Sequence, residues 1–159
     1  MVALSSAPTA EVPRLRVRSG VDLVAVSDVD NALTQFGQRY LDKLFTAHEI
    51  ASCQGSAQTV AEGLAARFAA KEAAMKVLRP CDVAVDWRSV EVRRSPDGIC
   101  TLEFSGEAAR LAEEAGIVDV SVALSHEGDL ATAFVVALCM PESAKPVASL
   151  APVATEMGD

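Results

Sequence analysis

Apolar and polar residues alternate from Arg14 to Arg18, where Leu15 and Val17 stand between arginines, and an apolar run from Val21 to Val26 follows, broken only by Asp22. That period of two predicts a strand with one buried face, and Gly20 permits a bend or a close backbone approach. Ser27 suits the N-cap of a short helix reaching about Phe36, with Asp28 and Asp30 near its positive end. Thr46 followed by Glu49 is a capping box that opens another short helix. From Ser56 to Leu78 the chain is dense in Ala, Leu, Glu, Lys and Arg, which predicts a long helix. Val60, Leu64, Phe68 and Met75 share one side of its wheel, and Arg79-Pro80 ends it.

Beyond Pro80 the period returns to two. Strands are expected at Val83–Trp87 and Val90–Val92, a turn at Ser95–Gly98 and a returning strand at Thr101–Phe104. Gly106–Ala115 reads as a helix stopped by Gly116. Val118–Leu124 and Leu130–Leu138 read as strands joined by a hairpin over Ser125–Asp129. The expected fold is α+β, an antiparallel sheet packed with one long and several short helices. Residues 1–13 and 141–159 are rich in Ser, Ala and Pro without either period and are expected to be flexible tails on one domain, 14–140. No internal repeat is visible.

Composition narrows the functional classes. A net charge of −8 disfavours nucleic acid as a partner, since duplex binding needs a basic stripe. It leaves room for a polyanionic small ligand met by a few local cations. Cys53, Cys81, Cys100 and Cys139 form no CxxC pair and no disulfide-scaffold spacing, and are expected as reduced core thiols. No basic region followed by an apolar core marks a signal peptide, and no apolar run approaches membrane-spanning length. The expectation is a soluble cytoplasmic protein that binds neither nucleic acid nor membrane.

Two carboxylates stand out by context. Asp22 interrupts a core strand, and Glu72 lies at the margin of the long helix's apolar stripe. Acids drawn toward a core are costly unless paired or bound to metal. Each also has a bland reading, Asp22 as a turn cap and Glu72 as the i,i+4 partner of Lys76.

The segment Gly20-Val21-Asp22-Leu23, followed by Arg67-Phe68-Ala69-Ala70-Lys71-Glu72-Ala73-Ala74-Met75-Lys76, resembles the bipartite signature of the phosphopantetheinyl transferase superfamily, and most closely its short holo-acyl-carrier-protein synthase class. Val120–His126 with the apolar strand after it is similar to that family's closing hairpin. The resemblance spans residues 15–139. It implies transfer of 4′-phosphopantetheine from coenzyme A to a serine of an apo-acyl carrier protein, with 3′,5′-ADP leaving. It makes Asp22 and Glu72 the ligands of Mg²⁺, a hard ion suited to carboxylate and phosphate oxygens. Glu72, or water held at the metal, would accept the serine proton. Lys76 would contact phosphate, as a catalytic and substrate-binding residue. Ser125 and His126 would lie near the coenzyme A nucleotide, from a neighbouring subunit of a homotrimer. Arg67 is assigned to coenzyme A as well. Arg67 and Lys71 belong to the motif, with bracing of the helix as the alternative, and His48 reads as surface.

Three features depart from the family's pattern or refine it. Val24 stands where the longer class carries a third carboxylate, which favours the short class. The chain reads Leu78-Arg79-Pro80-Cys81-Asp82 where a glycine-containing loop is usual. Asp28 and Asp30 occupy a helix that is usually basic toward an acidic carrier, leaving Arg39 and Lys43, with Tyr40 between them, as the nearest cations for carrier docking. Competing readings are a catalytically silent relative serving as a binding or assembly subunit, and an unrelated α+β module for a protein partner. Labelling with coenzyme A in the presence and absence of EDTA separates the first from an active enzyme, and a coenzyme A titration with and without Mg²⁺ discriminates the second.

Overall fold

The computed structural model describes residues 14–141, so the expected tails lie outside the described residues except for Pro141. Strand β1 (Arg16–Ala25) leads into three short helices, α1 (Val26–Phe36), α2 (Gln38–Leu44) and α3 (Ala47–Ser52), and then the long α4 (Ala57–Leu78). The hairpin β2 (Val90–Arg94) and β3 (Cys100–Phe104) follows, then α5 (Gly106–Glu114), β4 (Ile117–Glu127) and β5 (Leu130–Cys139). The fold is α+β as expected, but its antiparallel strands divide into a three-stranded sheet, β1-β5-β4, and the separate pair β2-β3.

The three-stranded sheet lies against α4, and what they share is small. Ala69, Ala70, Ala73 and Ala74 of α4 and Ala131, Ala133 and Ala137 of β5 are all fully buried. A Cβ added to Gly20 would stand 2.1 Å from the Ala73 carbonyl oxygen, so β1 reaches α4 backbone to backbone. The expected single apolar stripe understates this helix. Leu64 is buried while Val60, Phe68 and Met75 are only partly so, because alanines bury α4 on most of its circumference. Phe68 packs on Trp87 with ring centroids 5.5 Å apart.

Three local expectations are corrected. Ser27 is not an N-cap: α1 begins one residue earlier, directly from β1. Ser27 instead donates through its backbone N–H (2.8 Å) and its hydroxyl (2.7 Å) to the Asp129 carboxylate. An acid from the β4–β5 turn thus satisfies an orphan N–H of the helix's first turn from a distance in sequence. Val83–Trp87 forms no strand. The Asp86 carboxylate accepts from the Arg88 N–H at 2.9 Å and starts a 3-10 turn at Trp87–Ser89. The hairpin turn is only Gly128-Asp129, so Ser125 and His126 lie inside β4, opposite Thr132 and Ala131, not at its tip.

Other local expectations hold. Thr46 and Glu49 form the capping box, with Glu49 N–H to Thr46 Oγ1 at 3.2 Å and Thr46 N–H to Glu49 Oε2 at 2.9 Å. α4 stops at Arg79, which takes a left-handed conformation (φ 55°). The Ser95–Gly98 turn closes β2 onto β3, and α5 ends just before Gly116. All four cysteines are free; Cys53 and Cys139 are buried, whereas Cys81 is exposed and so is no core thiol. His48 is exposed. Among the described residues no helix is long and apolar enough to cross a membrane.

Candidate active site at the β1–α4 contact

Alternation along β1 turns Gly20, Asp22 and Val24 toward α4, and sends Val21 and Leu23 outward. Asp22 and Glu72 line the same groove, of about 360 Å³, together with Asp28, Tyr40 and Phe68. The backbone contact at Gly20–Ala73 explains why: Asp22 is two residues from Gly20 on the same face, and Glu72 precedes Ala73.

Glu72 is partly buried, and its carboxyl is held above the usual glutamate range, first by loss of solvent and then by the negative charge of Asp22, with Lys76 acting in the opposite direction. The two acids therefore sense one another. Lys76 does not form the i,i+4 pair with Glu72 that the bland reading offered. Its Nζ crosses to β1, donating to Asp22 Oδ1 at 2.8 Å and to the Val21 carbonyl at 2.6 Å. The lysine remains half exposed on the rim of the groove. Carboxylate oxygens are the donor type that hard divalent ions take, and a rim lysine is the kind of group that meets a phosphate. Among the described residues no group of three or more His, Cys, Asp or Glu could hold a metal ion.

The structure does not bring the rest of the expected set to this groove. Lys71 is fully buried, ion-paired with the equally buried Glu49 at 2.9 Å, and donates to the carbonyls of Trp87 (3.0 Å) and Val90. Its ammonium stands 5.8 Å from the Phe45 ring centre, and burial lowers its pKa while Glu49 pulls it back up. Arg67 is also buried. It donates to the Gly63 carbonyl at 2.9 Å and to Ser52 Oγ at 2.8 Å, and its Nε alone lacks a partner. In this chain it ties α4 to α3 rather than facing the acid pair. Helix geometry accounts for the division: adjacent residues are offset by about 100°, so the Arg67–Lys71 row looks toward α3 and β2 while the Phe68–Glu72 row looks toward α1 and β1.

Ser125 and His126 occupy an edge strand, two strands away from β1. Register carries Ser125 through Thr132 to Leu23 and His126 through Ala131 to Val24. The pair thus divides between the two faces of the sheet, and both residues are exposed. Ser125 shares an outer face that is strongly apolar: Val17, Val21, Leu23 and Phe134 are 67%, 55%, 60% and 47% exposed. Arg39 and Lys43 are exposed on α2 and line a second groove with Phe36 and Tyr40.

Sequence reasoning missed Glu49 as the partner of Lys71, because a capping box gives no sign of a second use for its glutamate. It also missed that Asp28 lines the acid groove. A groove of about 1010 Å³ between α2, α3 and the start of α5 lies elsewhere. Arg88 and Glu107 of its lining are already paired, with Asp86 and Arg110, while the smaller groove is the one lined by the acid pair.

Comparison with known proteins agrees with this geometry. The model of the 4′-phosphopantetheinyl transferase superfamily matches residues 18–139. The holo-[acyl-carrier-protein] synthase of Herpetosiphon aurantiacus is 41% identical over 128 residues, covering 76% of this chain and 97% of that protein. The synthase of Desulforudis audaxviator is 42% identical over 124 residues, covering 78% and 94%. Among solved structures, the Chronobacterium ammoniagenes ACPS–CoA complex superimposes with a TM-score of 0.71 at 31% identity, over 80% of this chain and 99% of that one. With the acid pair, the rim lysine and the α+β frame that positions them all in place, the chain belongs to the 4′-phosphopantetheinyl transferase superfamily, in its holo-acyl-carrier-protein synthase class.

Proposed function

We propose that this protein is a holo-acyl-carrier-protein synthase: it transfers 4′-phosphopantetheine from coenzyme A to a serine hydroxyl of an apo-acyl carrier protein. The carrying observation is that Asp22 of β1 and Glu72 of α4 face one groove with Lys76 on its rim. Relatives named holo-[acyl-carrier-protein] synthase and a structural relative described as a coenzyme A complex support the substrates.

The serine oxygen bonds to the β-phosphorus of coenzyme A, the bond from that phosphorus to the bridging oxygen breaks, and 3′,5′-ADP departs with the electron pair. Glu72 receives the serine proton. Burial, and after it the charge of Asp22, hold its carboxyl above the usual glutamate range, which makes its carboxylate a stronger base than an ordinary glutamate. Lys76 supplies a cation to the diphosphate from the position where it now holds Asp22. Asp22 and Glu72 would hold Mg²⁺, which supplies charge neutralisation at the phosphates. In a chain of net charge −8 such local cations offset the repulsion a polyanion meets.

The apolar outer face of the three-stranded sheet supports self-association, since so large an apolar surface is unusual on a monomer. A homotrimer joined through it would bring Ser125 of one subunit toward the boundary with the next, where Ser125 and His126 would meet the nucleotide. Action in the cytoplasm, where coenzyme A is available, completes the reading.

The test is intact-mass analysis of a panel of apo-carriers incubated with the protein, coenzyme A and Mg²⁺, with an EDTA arm. The expected result is one phosphopantetheine mass added to a carrier serine, abolished by EDTA and by Glu72→Gln. Transfer to no carrier, or transfer indifferent to EDTA, sinks the proposal.

A further inference from the structure

We infer that the carrier's landing surface is bipolar, with an acidic pole at Asp28 beside the catalytic groove and a basic, aromatic pole at Phe36, Arg39 and Lys43 beyond it, and that it selects a carrier helix of the opposite polarity. This deepens the transferase reading and rests on it.

Tyr40 is the hinge of the argument. It lines the groove that holds Asp22, Asp28 and Glu72, and it also lines the second groove, of about 300 Å³, with Phe36, Arg39 and Lys43. The two depressions therefore adjoin, and a ligand emerging from the first runs onto the second. Phe36 closes α1 and is 51% exposed, which leaves it available as an aromatic anchor. Arg39 and Lys43 sit four residues apart on α2, exposed and without an ion pair among the described residues. Like charges at i,i+4 disfavour a helix, and an anion laid between them relieves that repulsion. At the other pole Asp28 is exposed in the first turn of α1 and also makes no ion pair among the described residues.

Eight residues of helix separate Asp28 from Phe36, which is about 12 Å. An approaching helix that begins at its acceptor serine would meet the acidic pole first and the basic pole about two turns later. The fitting carrier presents a basic or neutral side chain next to its serine, an apolar side chain for Phe36 and Tyr40, and acids about two turns on. A uniformly acidic helix meets repulsion at Asp28, so polarity fixes both the orientation of docking and the choice of partner.

Steady-state transfer by the full chain tests this with two probes: an apo-carrier whose helix beside the acceptor serine is acidic throughout, and the same carrier with a lysine at the helix position nearest that serine. The parent should show a KM about fivefold lower for the lysine-bearing carrier, and Asp28→Arg should reverse the preference. Arg39→Glu with Lys43→Glu should raise the KM for both carriers about tenfold while the KM for coenzyme A stays put. A KM unmoved in the double variant, or both carriers shifted alike by Asp28→Arg, overturns the inference while the transferase reading stands. A changed oligomeric mass in Phe36→Ala means that another copy of the chain covers the aromatic pole, and also overturns it. If the parent transfers to neither probe nor to any other apo-carrier, the transferase reading falls and takes this one with it.

Discussion

Replacing Gly20 by alanine probes whether the acid pair is positioned by backbone contact. An added Cβ would lie 2.1 Å from the Ala73 carbonyl oxygen, 3.0 Å from its carbon and 3.1 Å from Lys76 Cβ. Two of those three obstacles are helix backbone, which has no rotamer to move into, so β1 and α4 must separate by about 1 Å to restore contact distances. Overpacking of a well-filled core costs about 1–3 kcal/mol, and with backbone as the obstacle about 3 kcal/mol is expected here. Glu72 is the residue before Ala73 and Asp22 lies on the same strand face as Gly20. The same displacement therefore enters the Asp22–Glu72 separation, and a misplacement of about 1 Å costs roughly 100-fold in turnover. Urea unfolding gives the stability and intact-mass kinetics give kcat, with the outward-facing Ser19→Ala as a control expected within about 0.5 kcal/mol of the parent. A Gly20→Ala protein that is destabilised yet keeps parental kcat refutes the claim that this contact sets the site. One that is as stable as the parent refutes the close approach itself.

Three further outcomes are expected. Lys71→Met strands the buried Glu49 carboxylate and should cost about 3–5 kcal/mol in urea unfolding; adding Glu49→Gln, which keeps an acceptor for the Val92 N–H, should recover part of that loss, and an additive double variant would deny the pairing. Because the folded state raises the Glu72 pKa, the native protein binds that proton more tightly than the unfolded chain, so metal-free stability should fall as pH rises from the ordinary glutamate range through the raised value. Thermal melts across pH in EDTA should show that slope, and Glu72→Gln should remove it and raise the neutral-pH Tm while abolishing transfer; an unchanged slope contradicts the assignment. Val21→Asp with Phe134→Glu on the outer sheet face should reduce the mass in sedimentation to that of a monomer with its helix content intact, whereas an unaltered mass removes that face as the contact between subunits.

The long helix, the capping box, the β2–β3 turn and the acid pair were legible because each rests on local chemistry or a short motif. Asp22 and Glu72 stood out as acids beside apolar positions, the resemblance singled them out over their bland readings, and the structure gives them a shared groove. What was not legible depends on partners far away in the chain. Asp129 takes over the capping role assigned to Ser27, across more than a hundred residues, and no local pattern encodes it. Trp87 alternates with Val83 and Val85 as a strand residue would, but its ring packs on Phe68 and among the described residues no strand pairs with this segment. Lys71 and Arg67 belong to the same motif as Glu72, and only the angular offset around α4 decides that they brace the helix while Glu72 lines the groove.

The alanine content of α4, which reads at first as mere helix propensity, has a second consequence for chemistry. Large side chains at Ala70 and Ala73 would hold the sheet away, and the position of Asp22 relative to Glu72 would then depend on how those side chains packed. With Gly20 against Ala73 and alanines facing one another across the β5–α4 seam, the separation is set by backbone contact, which has almost no soft degrees of freedom. Two like charges are thereby held near each other, and their repulsion, after loss of solvent, adds to the raised pKa of Glu72, with Lys76 acting the other way. A site built this way keeps a like-charge repulsion that the divalent cation proposed for it would relieve. The rigidity of the seam is what keeps the acids from relaxing apart.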